Sequence, residues 1–449
     1  MNEDSKVVTR FAPSPTGYLH CGAYRTAIFS YLYARKNSGK FVLRIEDTDK
    51  DRSKKEYEEN ILESLVWMGL EHDVFVRQSE NVSRHKEVLE KMVADGHAYI
   101  SKEEAKDGSG VIKEIVRFKN PNIDITFKDE IKGDITMNTT DLSDFVIAKN
   151  INEPLFHLAV VVDDFDEGIT HIIRGEDHVS NTPRQILIQR AIGAPTPVYA
   201  HLPLVLGNDK QKLSKRKGAL ALTEYRDMGY LPEALLNMVS MIGWNPGTDE
   251  EIFSKDQLVE LFSFEKVHKA PAVFNPEKLD WLNREYLKNK PAAEQEEYVL
   301  KYIPSKYESS IARKIVPIIM DRVSCGKDIT SMVESGEIEY FFGKPNIVKD
   351  SLFFKSSKIT GNKYEVLASY LEKTVSLLSK VSDDEFIAEK IKEGIWSYAE
   401  EVGRGDILWP MRYALSGLEK SPDPFTLSEI LGKDETIGRL RSAISMLQM

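Results

Sequence analysis

The chain has 449 residues, more than one hydrophobic core ordinarily spans, so we expect roughly two to four domains. Hydrophobic residues make up 41% and charged residues 29%, which excludes disorder as the main state, and no apolar run is long enough for a membrane helix. The formal net charge of −11 argues against a protein that coats nucleic acid indiscriminately, but it does not exclude binding through a local basic patch.

The two cysteines, Cys21 and Cys325, are too few for a disulfide framework or a four-cysteine zinc site. Two thiols in so long a chain suit a reducing compartment. The first four residues are acidic in character and no long apolar stretch follows them, which argues against a secretory signal. We therefore expect a cytoplasmic protein without a membrane partner.

The first elements predict a βαβ unit. Residues 7–12 have the pattern of a strand, and the proline-rich segment 13–17 interrupts it. A helical pattern follows, and residues 41–45 predict a second strand. A strand, a helix and a second strand within so short a stretch favour a parallel α/β sheet, and a further helix is predicted over residues 56–68.

The pattern changes from about residue 83 to residue 153, where short alternating pieces indicate antiparallel strands inserted between two halves of the sheet. Residues 156–162 and 169–174 predict buried strands. Thr182, Pro183 and Gln185 have the spacing of an N-cap, a first-position proline and a capping-box glutamine, and predict a helix that ends near Gly193. Residues 198–206 predict another strand.

Beyond Gly218 the pattern is mostly helical, with a boundary near residues 289–291. The predicted fold class is therefore α/β, with a Rossmann-like parallel-sheet domain over residues 1–82 and 154–209. An inserted α+β module spans residues 83–153, a basic loop and a helical domain span residues 210–290, and an all-α region spans residues 291–449.

The first strand-to-helix turn is one candidate site for chemistry. Ligands bind beyond the carboxyl ends of parallel strands, and a helix N-terminus there offers N–H groups to phosphate. His20 opens the predicted helix and can hydrogen-bond a phosphate, while Gly22 lets a nucleotide approach the backbone. Taken alone, a His-x-Gly pattern also describes a surface histidine and a turn glycine.

A second candidate is the segment of residues 210–217, which carries five basic side chains and no acidic one. Such a segment is often a solvated loop. Here it directly follows a predicted strand of the same sheet, and this context favours a loop whose ammonium groups neutralise charge on a triphosphate as pyrophosphate leaves.

The two segments together, in this order and about 190 residues apart, resemble the HIGH and KMSKS regions of the class I aminoacyl-tRNA synthetases, and within them the glutamyl-tRNA synthetase family. The resemblance covers nearly the full chain and fails mainly between about residues 99 and 117. Other matching segments are residues 44–49, 161–164, 173–178, 181–185, 229–237, 271–279, 409–417 and 431–433.

The resemblance implies ATP-dependent charging of tRNA(Glu) with L-glutamate by a monomer, through glutamyl-adenylate and then transfer to the terminal adenosine. It implies ATP with Mg²⁺ as cofactor and a requirement for bound tRNA before glutamate is activated. The inserted module would hold the acceptor end, residues 210–290 the KMSKS loop and the tRNA stem contact, and residues 291–449 the anticodon.

The resemblance also implies roles for particular residues, and the chemistry agrees with several, since guanidinium groups suit carboxylates and a carboxylate accepts from an ammonium or a ribose diol. The catalytic residues would be His20, Gly22, Lys212 and Lys215. The ATP-binding residues would be Ser14, His20, Gly22, Asp177, Lys212, Leu213, Ser214, Lys215 and Arg216. The glutamate-binding residues would be Arg10, Ala12, Ser14, Glu46, Phe156, Val160 and Arg174.

Three departures from the family pattern qualify these roles. Phe156 stands where the family commonly has tyrosine, so a hydroxyl contact to glutamate is missing. Cys21 and Ala23 replace a β-branched residue and a second glycine of the HIGH region, and Cys21 is interpreted as a packed small residue. The usual Cys-x-Cys is absent at residues 99–101, so no structural zinc is expected. Asp163 and Asp164 are interpreted as part of a solvated acidic turn rather than a metal site.

Three alternatives remain open at this point. One is an enzyme of relaxed specificity that also charges tRNA(Gln), which differs in anticodon reading. Another is a truncated relative that modifies a tRNA base or another acceptor, against which the long helical C-terminal region speaks. The third is a non-catalytic RNA-binding paralogue, which has no need of His20, Gly22, Lys212 and Lys215.

Overall fold

The apolar segments near the start of the chain form a parallel sheet in the computed structural model, which describes residues 6–104, 111–211, 213, 220–357 and 359–449. The chain divides into two units, residues 1–283 and residues 284–449. Among the described residues, the strands all lie in the first unit, and the second unit is helical. None of the helices within the described ranges is both long and apolar enough to cross a membrane.

In the first unit, strands and helices alternate near the beginning and the end of its sequence, and the stretch in the middle consists mainly of strands. Its strands are β1 Val8–Phe11, β2 Lys40–Ile45, β3 Val74–Arg77, β4 Ala98–Glu104, β5 Ile112–Phe118, β6 Asp124–Asp129, β7 Gly133–Asn138, β8 Val146–Asn150, β9 Glu153–Pro154, β10 His171–Gly175, β11 Val198–Leu202, β12 Val205–Leu206 and β13 Ala272–Val273. Its helices are α1 Cys21–Lys36, α2 Lys55–Trp67, α3 Val82–Ala94, α4 Phe156–Asp166, α5 Thr182–Ile192, α6 Leu222–Asp227, α7 Pro232–Ser240, α8 Lys255–Leu261 and α9 Pro276–Lys288, the last of which runs into the second unit.

The main sheet has the strand order β3-β2-β1-β10-β11-β6-β7, in which all neighbours are parallel except the β6–β7 hairpin. The sheet is therefore split in sequence, as predicted, and the order of its strands reverses between β1 and β10. A hairpin from within the predicted insertion also extends this sheet, since β6 pairs with β11 at Asp129 and Tyr199. A separate antiparallel sheet has the order β4-β5-β8-β9.

The helix α1 shows how sequence and packing agree in this unit. Ala27, Ile28 and Leu32 are completely buried, because the helix contacts β1 and β2 on one side and α7 and α8 on the other. Arg35 and Lys36 occupy its last turn, where positive charge is favourable to the helix dipole. The N-terminus of α1 therefore lies fixed at the carboxyl end of β1.

The structure corrects the predicted strand over residues 156–162, which is the first part of α4. Every residue from Leu158 to Asp164 is buried, so the helix has no polar face among these positions to reveal its 3.6-residue period. Three consecutive valines added a strand-like composition.

The start of α5 also differs from the prediction. The N-cap is Asn181, and Thr182 and Pro183 are already within the helix. The Thr182 hydroxyl donates to the carbonyl of His178, and the Gln185 carbonyl accepts from Arg174. The two residues that were interpreted as capping residues are therefore occupied by other partners.

The second unit consists of helices joined by short turns. Beyond the end of α9 its helices are α10 Ala292–Leu300, α11 Ser309–Lys314, α12 Val316–Met320, α13 Gly326–Glu334, α14 Lys363–Leu378, α15 Ala388–Val402, α16 Arg404–Ser416, α17 Pro424–Leu431 and α18 Lys433–Gln448. The helix α18 packs mainly against α14, and its residues Leu440 and Leu447 are buried.

Candidate active site

A cleft of about 380 Å³ lies at the point where the strand order reverses, beyond the carboxyl ends of β1 and β10. Ligands of doubly wound sheets bind at such a switch point. The structure brings together, in the lining of this cleft, every described residue for which a site role was predicted: Arg10, Ala12, Ser14, His20, Gly22, Glu46, Phe156, Val160, Arg174, Asp177 and Leu213.

The remaining predicted residues, Lys212, Ser214, Lys215 and Arg216, lie outside the described residues. Leu213 is described, and its backbone N–H donates to the carbonyl of Val205 at 2.9 Å. Val205 itself lines the cleft. The basic segment is therefore tied at Leu213 to the strand that forms one wall of the cleft.

His20 and Gly22 stand at the first turn of α1. His20 is the N-cap residue, and its side chain does not cap the helix. A Cβ built on Gly22 would come within 3.0 Å of the His20 ring and 3.4 Å of Val205 Cβ. Glycine at this position therefore leaves the space that the His20 ring occupies beside the helix N-terminus.

A second close approach lies at the end of β10. A Cβ on Gly175 would collide with the Asp177 carboxylate, which lines the cleft in the 3₁₀ turn Glu176–Asn181. The adjacent Glu176 accepts from the backbone N–H of Leu204 at 2.9 Å and from Lys132 Nζ at 2.5 Å. These bonds join the turn to the segment between β11 and β12 and to the connection between β6 and β7.

A buried charge cluster lies behind the floor of the cleft. Arg44 is fully buried and contacts Asp164 at 2.8 Å, Glu167 at 2.7 Å, Glu46 at 3.4 Å and Asp163 at 3.9 Å. The clustering of four carboxylates around one guanidinium group corrects the predicted solvated turn, because Asp163 and Asp164 are buried within α4.

Both aspartates of this cluster already have other partners. Asp163 accepts from Gln78 at 2.8 Å and from His85 Nε2 at 2.7 Å, and Asp164 also accepts from Arg10 Nε at 3.2 Å. The two carboxylates therefore serve the packing of α4. Over the described residues, no group of three or more His, Cys, Asp or Glu side chains is arranged to hold a metal ion.

Glu46 is the member of the cluster that lines the cleft. It is only 6% exposed, and burial raises its pKa to about 7 against the opposing effect of Arg44 and Arg10. A carboxyl group with this pKa changes charge near neutrality. Glu46 can therefore bind a cationic group in the cleft once it is ionised.

Arg174 is a buried cation with uncharged partners. Its Nε donates to His201 Nε2 at 3.1 Å, Nη1 to Gln185 Oε1 at 2.7 Å and Nη2 to Thr182 Oγ1 at 2.9 Å. No carboxylate of the described residues forms an ion pair with it. Burial lowers its pKa to about 10, so it stays charged, and a charge buried this way is stabilised by an anion brought into the cleft.

The opposite wall is apolar at Phe156 and Val160, which lie one turn apart on α4. The Phe156 ring is 5.8 Å from the ring of His178, and burial lowers the pKa of His178 to about 4. The imidazole is therefore neutral near pH 7. This wall offers van der Waals contact rather than charge.

Several residues of the site were not predicted. Arg25 lines the cleft and donates to the carbonyl oxygens of Ile242 and Pro203. Thr182, Gln185 and His201 surround Arg174. An arginine on the buried face of α1, and a histidine within a predicted strand, were the available signals for Arg25 and His201.

Comparisons with known proteins show which family the chain resembles. The family model described as the catalytic domain of class I tRNA synthetases for E and Q matches residues 6–108 and 100–281, and the model of an anticodon binding domain matches residues 284–444. A curated glutamate–tRNA ligase of Aquifex aeolicus is 39% identical over 99% of this chain and 100% of its own. A curated glutamate–tRNA ligase of Nitrosospira multiformis is 37% identical over 96% of this chain and 97% of its own.

Two solved structures are similar over the same length. A glutamate tRNA ligase of Elizabethkingia meningosepticum, in complex with its amino acid, is 31% identical with a TM-score of 0.86, covering 99% of this chain and 100% of its own. The glutamate-tRNA synthetase of Elizabethkingia anophelis is 31% identical with a TM-score of 0.84, and the match covers 98% of this chain and 100% of its own.

Proposed function

This chain belongs to the class I synthetases that charge tRNA with glutamate, and we propose that the cleft between β1 and β10 is where it forms glutamyl-adenylate. Its activity is that of a glutamate–tRNA ligase, which uses ATP. The observation that carries the assignment of the cleft is Arg174, a buried guanidinium without an acidic partner among the described residues. The cleft that it lines also presents a carboxylate, Glu46.

Glutamate binds with one carboxylate at Arg174, because the hydrogen-bond partners of this guanidinium group among the described residues are uncharged and leave its positive charge uncompensated. Arg10 binds the other carboxylate of glutamate, and it binds less strongly because Arg10 Nε already donates to Asp164. Glu46 accepts from the α-ammonium. Ala12, Ser14, Phe156 and Val160 complete the pocket, in which Phe156 supplies contact area but no hydroxyl group.

ATP binds across the N-terminus of α1. The helix N-terminus and His20 contact the phosphates, Gly22 admits the nucleotide to the backbone, and Asp177 accepts from the ribose hydroxyls. Leu213 packs against the nucleotide, with Ser214 and Arg216 following it. Lys212 and Lys215 neutralise the charge that develops as pyrophosphate leaves.

Mg²⁺ reaches the cleft with the ATP phosphates. This ion usually keeps several water molecules and binds substrate phosphates with one or two carboxylates, rather than a cage built by the protein. It supplies additional neutralisation of phosphate charge. We assign none of the described carboxylates to it, because the Asp163 and Asp164 side chains are occupied by cations and amides of the chain.

The reaction has two steps. The glutamate α-carboxylate attacks the α-phosphate of ATP, giving glutamyl-adenylate and pyrophosphate. The terminal 2′-OH of tRNA then attacks the acyl carbon and releases AMP. Since no covalent enzyme intermediate is involved, the chain contributes by positioning the reactants and by stabilising charge with His20, Lys212 and Lys215.

The terminal adenosine of tRNA enters this cleft, and the rest of the tRNA is bound by other parts of the chain. Residues 83–153 bind its acceptor end, residues 210–290 contact its stem, and residues 291–449 bind the anticodon. In the last region Arg412 Cζ lies 4.7 Å from the centre of the partly exposed Trp409 ring, and such a stacked pair offers flat surfaces to a base. Bound tRNA(Glu) precedes glutamate activation, and the protein acts as a monomer in the cytoplasm.

The alternative in which tRNA(Gln) is also charged receives no support, since both curated relatives and both solved structures are described by glutamate alone. Pyrophosphate exchange tests the proposal, measured with glutamate or glutamine and with or without each tRNA. Exchange with glutamate that appears only with tRNA(Glu) is expected. Exchange with glutamine, or charging of both tRNAs, would contradict it.

A further inference from the structure

Two buried residues behind the cleft form a chain of hydrogen bonds that ends at Arg174. Asp129 Oδ2 accepts from His201 Nδ1 at 2.6 Å, and His201 Nε2 accepts from Arg174 Nε at 3.1 Å. The exposed fractions of Asp129 and His201 are 1% and 0%. Neither residue lines the cleft, so neither touches a ligand bound in it.

The bonds of Asp129 fix the position of the proton on His201. Oδ2 also accepts from the His201 backbone N–H at 3.0 Å, and Oδ1 accepts from the backbone N–H groups of Ile131 at 3.0 Å and Lys132 at 2.8 Å. Burial opposes ionisation, but these bonds hold the pKa of Asp129 below its usual range, so it is a carboxylate that only accepts. Nδ1 of His201 therefore carries the hydrogen.

With the proton on Nδ1, Nε2 presents a lone pair to Arg174. Burial lowers the pKa of His201, which keeps the ring neutral, and the ring stacks on Tyr199 with an interplanar angle of 9°. Arg174 and His201 are also register partners on the adjacent parallel strands β10 and β11. The pairing of the two strands places His201 beside Arg174, and the tautomer leaves Nε2 of His201 as the acceptor for the Arg174 guanidinium group.

Three neutral acceptors orient the Arg174 guanidinium without cancelling its charge. His201, Gln185 and Thr182 each take one N–H group, on Nε, Nη1 and Nη2 respectively. An acidic residue at the position of His201 would orient it as well but would compete with the substrate. A neutral histidine leaves the positive charge for a ligand.

We propose that His201 and Asp129 are positioning residues for glutamate recognition, with Asp129 setting the tautomer of His201 and His201 holding Arg174 in the orientation that receives the substrate carboxylate. This inference rests on the proposed role of Arg174. It also gives the β6–β7 hairpin a part in amino-acid binding, because Asp129 is the last residue of β6.

The test compares two variants of His201 in which the imidazole ring is replaced by a side-chain amide at two different positions. His201→Gln places an amide near the Nε2 position and keeps an acceptor for Arg174, whereas His201→Asn places its amide near Nδ1 and leaves Arg174 Nε without an acceptor. With tRNA(Glu) present, His201→Asn is expected to lower kcat/KM for glutamate roughly 10- to 100-fold, the range for a lost hydrogen bond to a charged group. His201→Gln should lie within about threefold of the unmodified protein, and the KM for ATP should change little in either.

Equal losses in the two variants, or equal rises in the KM for ATP, would show that His201 only fills space and would overturn the inference. Arg174→Lys, measured in parallel, separates this from the proposed function. Unchanged glutamate kinetics in that variant would remove Arg174 from the pocket, whereas a loss there without a difference between the His201 variants would overturn only the role of His201.

The tautomer is measurable without activity. The chain has nine histidines, so long-range ¹H–¹⁵N spectra of histidine-labelled protein can be assigned by the signal that disappears in His201→Gln. A neutral ring with hydrogen on Nδ1 is expected for His201. Hydrogen on Nε2 would overturn the role of Asp129.

Discussion

Arg10 Nε donates to Asp164 Oδ1 at 3.2 Å, so one of the two arginines expected to bind glutamate already has an acidic partner. Arg174, on the neighbouring strand, has none among the described residues. Arg10 and Arg174 have the same predicted role, but only the positive charge of Arg174 is left without an acidic partner among the described residues.

Replacement of Arg174 by alanine should remove the strongest contact to glutamate. Charge-assisted bonds contribute about 1.5–3 kcal/mol each, so kcat/KM for glutamate should fall at least roughly 10- to 100-fold. The KM for ATP should stay near its starting value. Steady-state charging of tRNA(Glu) at varied glutamate measures this, with Arg190→Ala, at an exposed arginine of α5, as control. A similar loss in both variants would remove Arg174 from the pocket.

Glutamate use should depend on pH through Glu46. Its pKa is raised to about 7 by burial, so below that pH the group is neutral and cannot pair with the α-ammonium. The value of kcat/KM for glutamate should therefore rise with pH and level off above about 7. Glu46→Gln should lower kcat/KM and abolish this dependence.

The control for the pH experiment is Glu167→Gln. Burial also raises the pKa of Glu167 to about 7, but this residue contacts Arg44 at 2.7 Å and does not line the cleft. The pH dependence should persist in Glu167→Gln. If it vanished there and persisted in Glu46→Gln, the titrating group would be Glu167.

Gly22→Ala should displace the His20 ring, because the new Cβ lies 3.0 Å from its Cε1 and Nδ1 atoms. A misplaced group of this kind lowers a rate by roughly 10- to 100-fold, so we expect such a loss in pyrophosphate exchange. The affinity for tRNA should be unaffected. Gly17→Ala is the control, since nothing lies within 4 Å of a Cβ there. Equal exchange rates for the two variants would contradict a role for the His20 position.

Arg44→Met should destabilise the first unit strongly. It leaves Asp163, Asp164 and two glutamates buried around a neutral side chain, for which about 3–5 kcal/mol is the usual loss. Arg84→Met removes a cation that is 40% exposed and pairs with Asp166, and about 0–1 kcal/mol is expected. Denaturant unfolding measures both. Similar losses would mean that burial of the cluster is unimportant.

Lys215→Ala should lower the rate of adenylate formation far more than the affinity for tRNA. The reason is chemical, since an ammonium group at a leaving pyrophosphate acts mainly on the transition state. Pre-steady-state adenylation and a filter-binding assay with tRNA(Glu) measure the two effects. A proportionate loss in both assays would mean that this lysine only binds RNA.

Short-range patterns of strands and helices predicted the split parallel sheet, and the family resemblance marked the residues that meet at its switch point, such as Arg10, Glu46 and Arg174. The sequence did not predict α4, where burial on all sides hides the helical period from Leu158 to Asp164. It also misread Thr182 and Gln185 as capping residues. Their partners come from Arg174, which is next to them only in the folded chain.

The charge cluster shows the same limit. Nothing near Asp163 and Asp164 in sequence indicates that Arg44, more than a hundred residues away, lies between them and Glu46. Local composition therefore suggested solvent where the fold provides a buried cation. The catalytic positions were accessible because a family resemblance marks them, and the supporting residues His201 and Asp129 were not.

The β6–β7 hairpin belongs to the central sheet although its sequence lies within the predicted insertion. A chimera that grafts residues 83–153 from a relative would thus replace the outer strands of the recipient's own sheet, and a deletion would uncover the edge of β11. An exchange of the inserted module therefore has to leave the β6–β7 hairpin in place, with the exchanged segments ending on either side of it. The hairpin that is kept includes Asp129, the last residue of β6.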